Sequence, residues 1–401
     1  MRYLITKARR FCGFLAGIIF YISAILKLLD PVGAGLVMDE YFHFLHLDFM
    51  DFSSKILGTS FALAEAVIGT ALITGVWRRP SGIAALAMQG FFTMLTLALV
   101  IFKPEMDCGC FGEAVHLTHM QTFLKNLVIL ALLAGNFIPL KGLGRPRPRK
   151  YVSFGIVVAS TLAFTIYSWV YIPLVDFTSY STTSHLQAAD NYPTNEEDMY
   201  EAVFTYEKDG KTETFDLDHL PDSTWTFVST TTVLKEEFSD KSVPLSIYDQ
   251  AGEYHDGKAA EGRVMVVSIY EPDIRQANWK KISKFASEAE AAGFTPIILL
   301  ADNGTDLMKS IPADILKASS DRIYLSDYKT LITLNRSNGG ITYLSDSYII
   351  RKWAFRNTPD REDMSELYRE AETETMIGHS SQSSLSFQSF LLYVFAVMLL
   401  L

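Results

Sequence analysis

A chain of 401 residues, 49% hydrophobic and only 20% charged, with a mean hydropathy of +0.16, departs from an ordinary soluble domain, where about a quarter of residues are charged. Residues 1–175 hold 15 Lys and Arg against 9 Asp and Glu, a net of +6, whereas residues 176–401 hold 20 against 36, a net of −16. An apolar, basic-edged front and an acidic back point to the lipid bilayer as one partner and exclude nucleic acid as another.

A bilayer core about 30 Å thick is crossed by about 20 apolar residues in a helix. Five runs reach that length, at residues 11–29, 56–77, 83–102, 123–140 and 152–174. The first follows Arg2, Lys7, Arg9 and Arg10 and has no small-residue cleavage site behind it, so it is expected to stay as a helix rather than leave as a signal peptide. Basic residues favour the cytoplasmic end of a span. They recur at every second connection: at the N-terminus, at Arg78 and Arg79, and at Lys141, Arg145, Arg147, Arg149 and Lys150. The expected protein is therefore a multi-pass inner (cytoplasmic) membrane protein with a cytoplasmic N-terminus and with residues 175 onward in the periplasm.

Residues 38–54 mix five aromatics, four acids and two histidines and are expected at the outer interface, either as a packing lid or as a substrate-gathering surface. The organisation that follows is a four-helix domain over 1–142, a basic cytoplasmic linker and fifth anchoring helix over 143–175, and an exported β-rich segment over 176–240. An α/β domain over 241–356, a polar linker over 357–384 and an apolar tail over 385–401 complete it. The tail is uncharged but short, and a sixth span, a helix lying on the membrane and a misread terminal frame stay open for it.

The connection between the third and fourth runs, residues 103–120, contains Cys108 and Cys110; Cys12 is the only other cysteine in the chain. Gly109 and Gly112 remove side-chain bulk and let this loop bend tightly. Three readings stand side by side. Cys108 and Cys110 form a redox pair, with Lys27 and Lys125 near enough in topology to favour the thiolate. Alternatively Met106, Cys108, Cys110, His116, His119 and Met120 supply soft and borderline ligands for copper or zinc, although the spacing matches no closed structural zinc pattern. In the third reading the cysteines are structural. Glu65, inside the second run, is expected either to pair within the bundle, with a lysine, with Gln89 or with other polar groups, or to support the thiol site in a proton-handling role.

The basic start, the stretch Ser23 to Pro31 with Lys27 and Asp30, Glu65, Arg78-Arg79, Asp107-Cys108-Gly109-Cys110-Phe111-Gly112 and Thr122 to Asn126 together resemble DoxX-like four-helix membrane proteins. Within these, the stretch of about residues 5–142 resembles specifically the methylamine utilisation protein MauE family. The resemblance implies an integral inner-membrane protein associated with disulfide formation or thiol homeostasis of exported proteins, with Cys108 and Cys110 at the motif cysteines. It does not imply methylamine metabolism.

In the second half, alternating runs around Asp209-Gly210 within residues 199–236 predict a hairpin. Further on, the pattern predicts strand 264–270, helix 273–292, strand 295–301, helix 304–318, strand 322–325, a short helix 327–335 and a hairpin from 341–344 and 348–352. This stretch resembles the thioredoxin-like fold of TlpA-type envelope proteins, most closely over residues 330–353. It departs where chemistry would sit: residues 270–274 replace the family's Cys-x-x-Cys, Gly339 stands at the expected cis-proline, and no cysteine occurs after Cys110. The expected fold class is thus an all-α membrane four-helix bundle plus a fifth anchoring helix, followed by a soluble α/β thioredoxin-like domain with a small β element. The exported part is read as a docking module for an exported client or redox partner. Two thiols are too few for a full relay, so a quinone or another protein would have to exchange electrons with them; no quinone site can be assigned from the sequence. A non-enzymatic scaffold is the contrasting reading.

Overall fold

The computed structural model describes residues 2–104, 106–138, 146–182, 184–188, 200–208, 211–215, 224–234, 242–271, 274–302, 307–370 and 372–401. Its two compact units are Met1–Thr178 with Gln382–Leu401, and Ser179–Ser381.

In the first unit the long apolar runs become helices, because backbone polar groups in a bilayer must be satisfied within the segment itself. They are α1 (Arg2–Leu29), α3 (Ser54–Thr74), α4 (Arg78–Phe102), α5 (His119–Phe137) and α6 (Pro148–Val170). A further helix, α2 (Pro31–Phe44), occupies part of the segment expected at an interface. Asp30 starts it by accepting a hydrogen bond from the Gly33 amide at 3.0 Å, with Pro31 preset for the first turn. A 3-10 turn, Asp48–Ser53, leads into α3.

Helices α1 and α3 pack backbone to backbone. A Cβ on Gly69 would lie 2.8 Å from the Tyr21 amide nitrogen, so only glycine lets the two backbones meet there. Tyr21, Ile25 and Leu28 are buried against this seam. Phe91, Met94, Val128 and Ile166 on α4 to α6 are exposed, as a lipid-facing surface requires.

The apolar tail forms the end of a long helix, Glu372–Leu400. Its Tyr393 ring stacks on Phe164 of α6 at 5.4 Å between centroids, and Ser160 Oγ donates to the Tyr393 hydroxyl at 3.1 Å. Lys150, in the first turn of α6, donates to the Leu401 carbonyl, so the tail runs antiparallel to α6. Among the described residues, six helices are therefore long and apolar enough to cross a membrane, where the sequence pattern identified five and left the tail open.

The second unit is built on a seven-stranded mixed sheet. Its strands are β1 (His185–Ala188), β5 (Ser242–Leu245), β6 (Arg263–Ile269), β7 (Thr295–Asp302), β8 (Ile323–Asp327), β9 (Gly340–Ser345) and β10 (Tyr348–Trp353), in the order β5-β1-β10-β9-β6-β7-β8. Strands β6, β7 and β8 are parallel, with Val266 opposite Ile297. Strand β9 is antiparallel to β6, with Val266 opposite Thr342, and antiparallel to β10. The unbroken apolar sequence of β6 and β7 follows from burial on both sheet faces. A one-turn helix, α7 (Gly257–Ala260), precedes β6, and the connection from β6 to β7 runs through α8 (Gln276–Ala291), whose Trp279, Ile282 and Phe285 are buried.

The predicted helix 304–318 is interrupted. A 3-10 turn, Leu307–Ser310, is separated from α9 (Ala313–Ser319) by Pro312, which has no amide hydrogen to continue a helix. Helix α10 (Tyr328–Leu334) and the β9–β10 hairpin match the expected pattern; Asp346 and Ser347 at its tip both have positive φ, which suits a tight two-residue turn. Within the expected polar linker lie α11 (Arg361–Arg369), opened by an Asp360–Asp363 capping box, and the start of α12 (Glu372–Leu400). A second antiparallel sheet of β2 (Tyr200–Lys208), β3 (Lys211–Phe215) and β4 (Thr226–Leu234) has the order β3-β2-β4. The predicted turn at Asp209-Gly210 lies outside the described residues.

Candidate thiol site

The cysteine loop is folded back onto the end of the bundle by its two glycines. Gly109 has φ +58°, and a Cβ there would fall 2.2 Å from Val37 Cγ1 of α2. Tyr41 on the same helix donates its hydroxyl to the Cys108 carbonyl at 3.0 Å. From α1, Ser23 Oγ donates to the Cys110 carbonyl at 2.7 Å. The backbone of the loop is thus tied to α1 and α2, and its two cysteines sit on the wall of one cavity of about 80 Å³.

Both cysteines are free thiols, Cys108 buried and Cys110 half-buried. Burial pushes the Cys108 thiol above its ordinary pKa; the Thr122 hydroxyl pulls it down, Cys110 and Asp107 add to the rise, and Lys125 opposes it. Lys125, on α5, rests its ammonium 4.6 Å from the Phe111 ring centroid and also lines the cavity. The Tyr41 phenol is likewise pushed up, first by burial and then by the neighbouring thiols, which keeps it neutral and a donor.

Lys27 and Glu65 complete the cavity wall as a pair. Lys27 Nζ lies 2.8 Å from Glu65 Oε2 and 3.0 Å from Oε1. Glu65 therefore takes the lysine as its partner. Gln89 is engaged elsewhere, donating to the Asn126 carbonyl at 3.3 Å, while Asn126 Nδ2 donates to Thr96 Oγ1 at 3.2 Å.

Of the six residues considered for soft-metal binding, only the cysteines share this cavity. His116 Nδ1 lies 3.2 Å from Asp107 Oδ2, His119 Nε2 lies 3.0 Å from the Met106 carbonyl, and Met120 is exposed. Among the described residues, no group of three His, Cys, Asp or Glu ligand atoms within 4.8 Å of one another includes Cys108 or Cys110.

Tyr41 joins the site without having been singled out by sequence reasoning, and Ser23, Thr122 and Asn126 entered it only as ends of the stretches that carry the resemblance, with no site role assigned. A polar residue one turn from Lys27 and a threonine one turn from Lys125 were available as signals. Tyr41 was hidden in a segment whose helical character was missed.

The family Methylamine utilisation protein MauE matches residues 3–139, about a third of the chain, and a domain of unknown function, DUF8463, matches residues 200–237. No match was found among curated proteins or among solved structures. The MauE match spans α1 to α5 and so contains both cysteines, Lys27, Glu65 and Lys125. Together with the six apolar helices, it describes a multi-pass membrane protein.

Proposed function

We propose that this protein takes part in thiol–disulfide exchange for exported proteins, with Cys108 and Cys110 as the redox pair and residues 179–381 as a docking module without thiol chemistry. The observation that carries this reading is the placement of two free thiols, separated by a left-handed glycine, on the wall of one cavity.

Cys110 is the better-exposed sulfur and is assigned the first attack. As a thiolate it bonds to one sulfur of a partner disulfide and expels the other as a thiolate, which takes up a proton. Cys108 then loses its proton and attacks Cys110 in the mixed disulfide, releasing the second partner sulfur. Two electrons and two protons reach the partner, and Cys108 is joined to Cys110. The reverse sequence oxidises a client. A quinone or a further protein couple would reset the pair, and the Phe61, Phe92 and Leu95 wall would suit a flat apolar acceptor.

Basic flanks support a cytoplasmic N-terminus in the inner membrane and a periplasmic cysteine loop. The antiparallel course of α6 and the tail agrees with it, since the chain between them then leaves and re-enters on one side. For the docking module, the central order β10-β9-β6-β7, with β6 and β7 parallel around α8, supports a thioredoxin-like reading. At the start of its cysteine-equivalent segment, Asn338 Oδ1 accepts the amides of Tyr270 and Glu271 at 2.9 and 3.3 Å. Pro272 and Asp273 in that segment lie outside the described residues.

Alkylation trapping in native membranes tests the proposal. A redox role requires a Cys108–Cys110 disulfide that forms with oxidant and opens with mild reductant, and a mixed disulfide captured by Cys108→Ser through Cys110. Two thiols that remain alkylatable under every oxidising condition would refute it.

A further inference from the structure

The other end of α1 lines a second cavity, of about 210 Å³, whose wall includes Arg9, Arg10 and Arg78 beside Phe14, Leu72 and Phe137. Every residue of that wall comes from stretches without a single Asp or Glu, namely 2–29, 66–104 and 114–175. The three arginines share one wall, and among its described residues there is no carboxylate. Arg10 and Arg78 are close enough for their charges to repel.

Two backbone carbonyls orient part of this cluster. Arg9 donates from Nε and Nη2 to the Asn136 carbonyl at 3.0 and 2.8 Å, and Arg78 donates from Nε to the Gly75 carbonyl at 3.3 Å. Carbonyls are neutral, so these bonds fix the guanidinium planes without cancelling their charge. Helix α4 begins at Arg78, and the positive end of its dipole adds to the same field. Planar guanidiniums held beside an apolar wall match an anion with oxygens on one side and hydrocarbon on the other.

We propose that this cavity binds a phosphate-type anion through Arg10 and Arg78. Two sources share that chemistry: the phosphodiester headgroup of an anionic lipid, whose chains would lie along Phe14 and Phe137, and free inorganic phosphate. The assignment is independent of the thiol chemistry, since it involves neither cysteine and lies at the other end of α1.

The test uses the purified full chain in nanodiscs of phosphatidylcholine alone, of phosphatidylcholine with phosphatidylglycerol, and of phosphatidylcholine with inorganic phosphate at matched ionic strength. The unfolding temperature is read in each. A rise with phosphatidylglycerol only assigns the lipid headgroup, and a rise with inorganic phosphate in phosphatidylcholine assigns the free ion. In either case Arg10→Gln and Arg78→Gln should weaken binding about tenfold or more, the loss of one charge-assisted contact. Arg149→Gln, outside the cavity wall, should leave the rise intact. Arg10→Lys, which keeps the charge without the fork, should fall between and guards against a variant that fails to fold. No rise with either anion, an undiminished rise in both glutamine variants, or an equal loss in Arg149→Gln overturns the proposal.

Discussion

Lys27 and Glu65 join α1 to α3 through a two-oxygen contact of 2.8 and 3.0 Å, with side chains only 15% and 7% exposed. Removing two charges from water is costly, and the pair holds because each charge answers the other. Ser23 lies between this pair and the cysteine loop. Its single hydroxyl hydrogen serves the Cys110 carbonyl at 2.7 Å, while Glu65 Oε2 is farther away at 3.4 Å. Ser23 therefore ties α1 to the loop beside the ion pair, with its hydrogen committed to the loop. Lys27 is read from this geometry as a partner of Glu65 first and a neighbour of the thiols second.

Breaking that pair from one side should be worse than removing it whole. Glu65→Gln leaves the Lys27 ammonium buried without its counter-charge and is expected to destabilise the protein by about 3 kcal/mol. A double replacement, Lys27→Met with Glu65→Leu, should lie nearer the parent than either single change. Thermal unfolding of the detergent-solubilised chain gives the comparison, and equal losses in all three variants would count against the pairing.

Gly109→Ala tests the loop's seat on α2. The new methyl would meet Val37 at 2.2 Å, and the left-handed φ of +58° adds about 1 kcal/mol of backbone cost whatever the space. Alkylation of Cys108 should accelerate as the loop lifts and its burial is lost. Adding Val37→Ala removes the clash but not the backbone cost, so protection of Cys108 should return only in part. Unchanged alkylation in the single variant would show that the loop is not held there.

In the second unit, Asn335 is the buried polar group on which the β9–β10 corner depends. Its Nδ2 donates to the Ile341 carbonyl at 3.0 Å, and its Oδ1 accepts the Ser337 amide at 3.0 Å. Asn335→Ala strands both backbone groups and should cost about 2 kcal/mol, whereas Asn335→Asp keeps the acceptor but loses the donor. Hydrogen exchange of the full chain is the direct readout: amides of β9 and β10 should lose protection in Asn335→Ala while those of the membrane helices keep theirs.

The membrane helices were legible because length and flanking charge are long-range signals that packing does not override. Helix α2 was not, since Met38 to Phe44 mixes acids, aromatics and a histidine without a clean apolar stripe. Its start was nevertheless written in Asp30-Pro31, a capping acid followed by a residue preset for the first turn. Missing α2 also concealed Tyr41 and the seat of Gly109. Strands β1 and β5 escaped for another reason. Each has four residues, and they pair with one another in parallel, with His185 opposite Ser242, across more than fifty intervening positions. No local period announces such a pairing. The two cysteines were evident from the sequence, but their unequal burial depends on which helices the loop lands on, and that is decided by tertiary contacts.

The unequal burial makes the pH dependence of the two thiols a test of the site. With Cys108 held above the ordinary thiol range of about 8.5, chiefly by burial, its thiolate is scarce at neutral pH and its alkylation should be slow there and climb at a higher pH than a model thiol. Lys125→Met removes a group that draws the value down, so the alkylation midpoint of Cys108 should move further up; Thr122→Ala should move it the same way. The sign for stability follows. Because the folded pKa is raised, the native state keeps its full stability below the unfolded thiol pKa and loses it as the pH climbs through the folded one. Cys108→Ser should flatten that alkaline decline. A midpoint that shifts downward in Lys125→Met would remove the lysine from the thiol's surroundings.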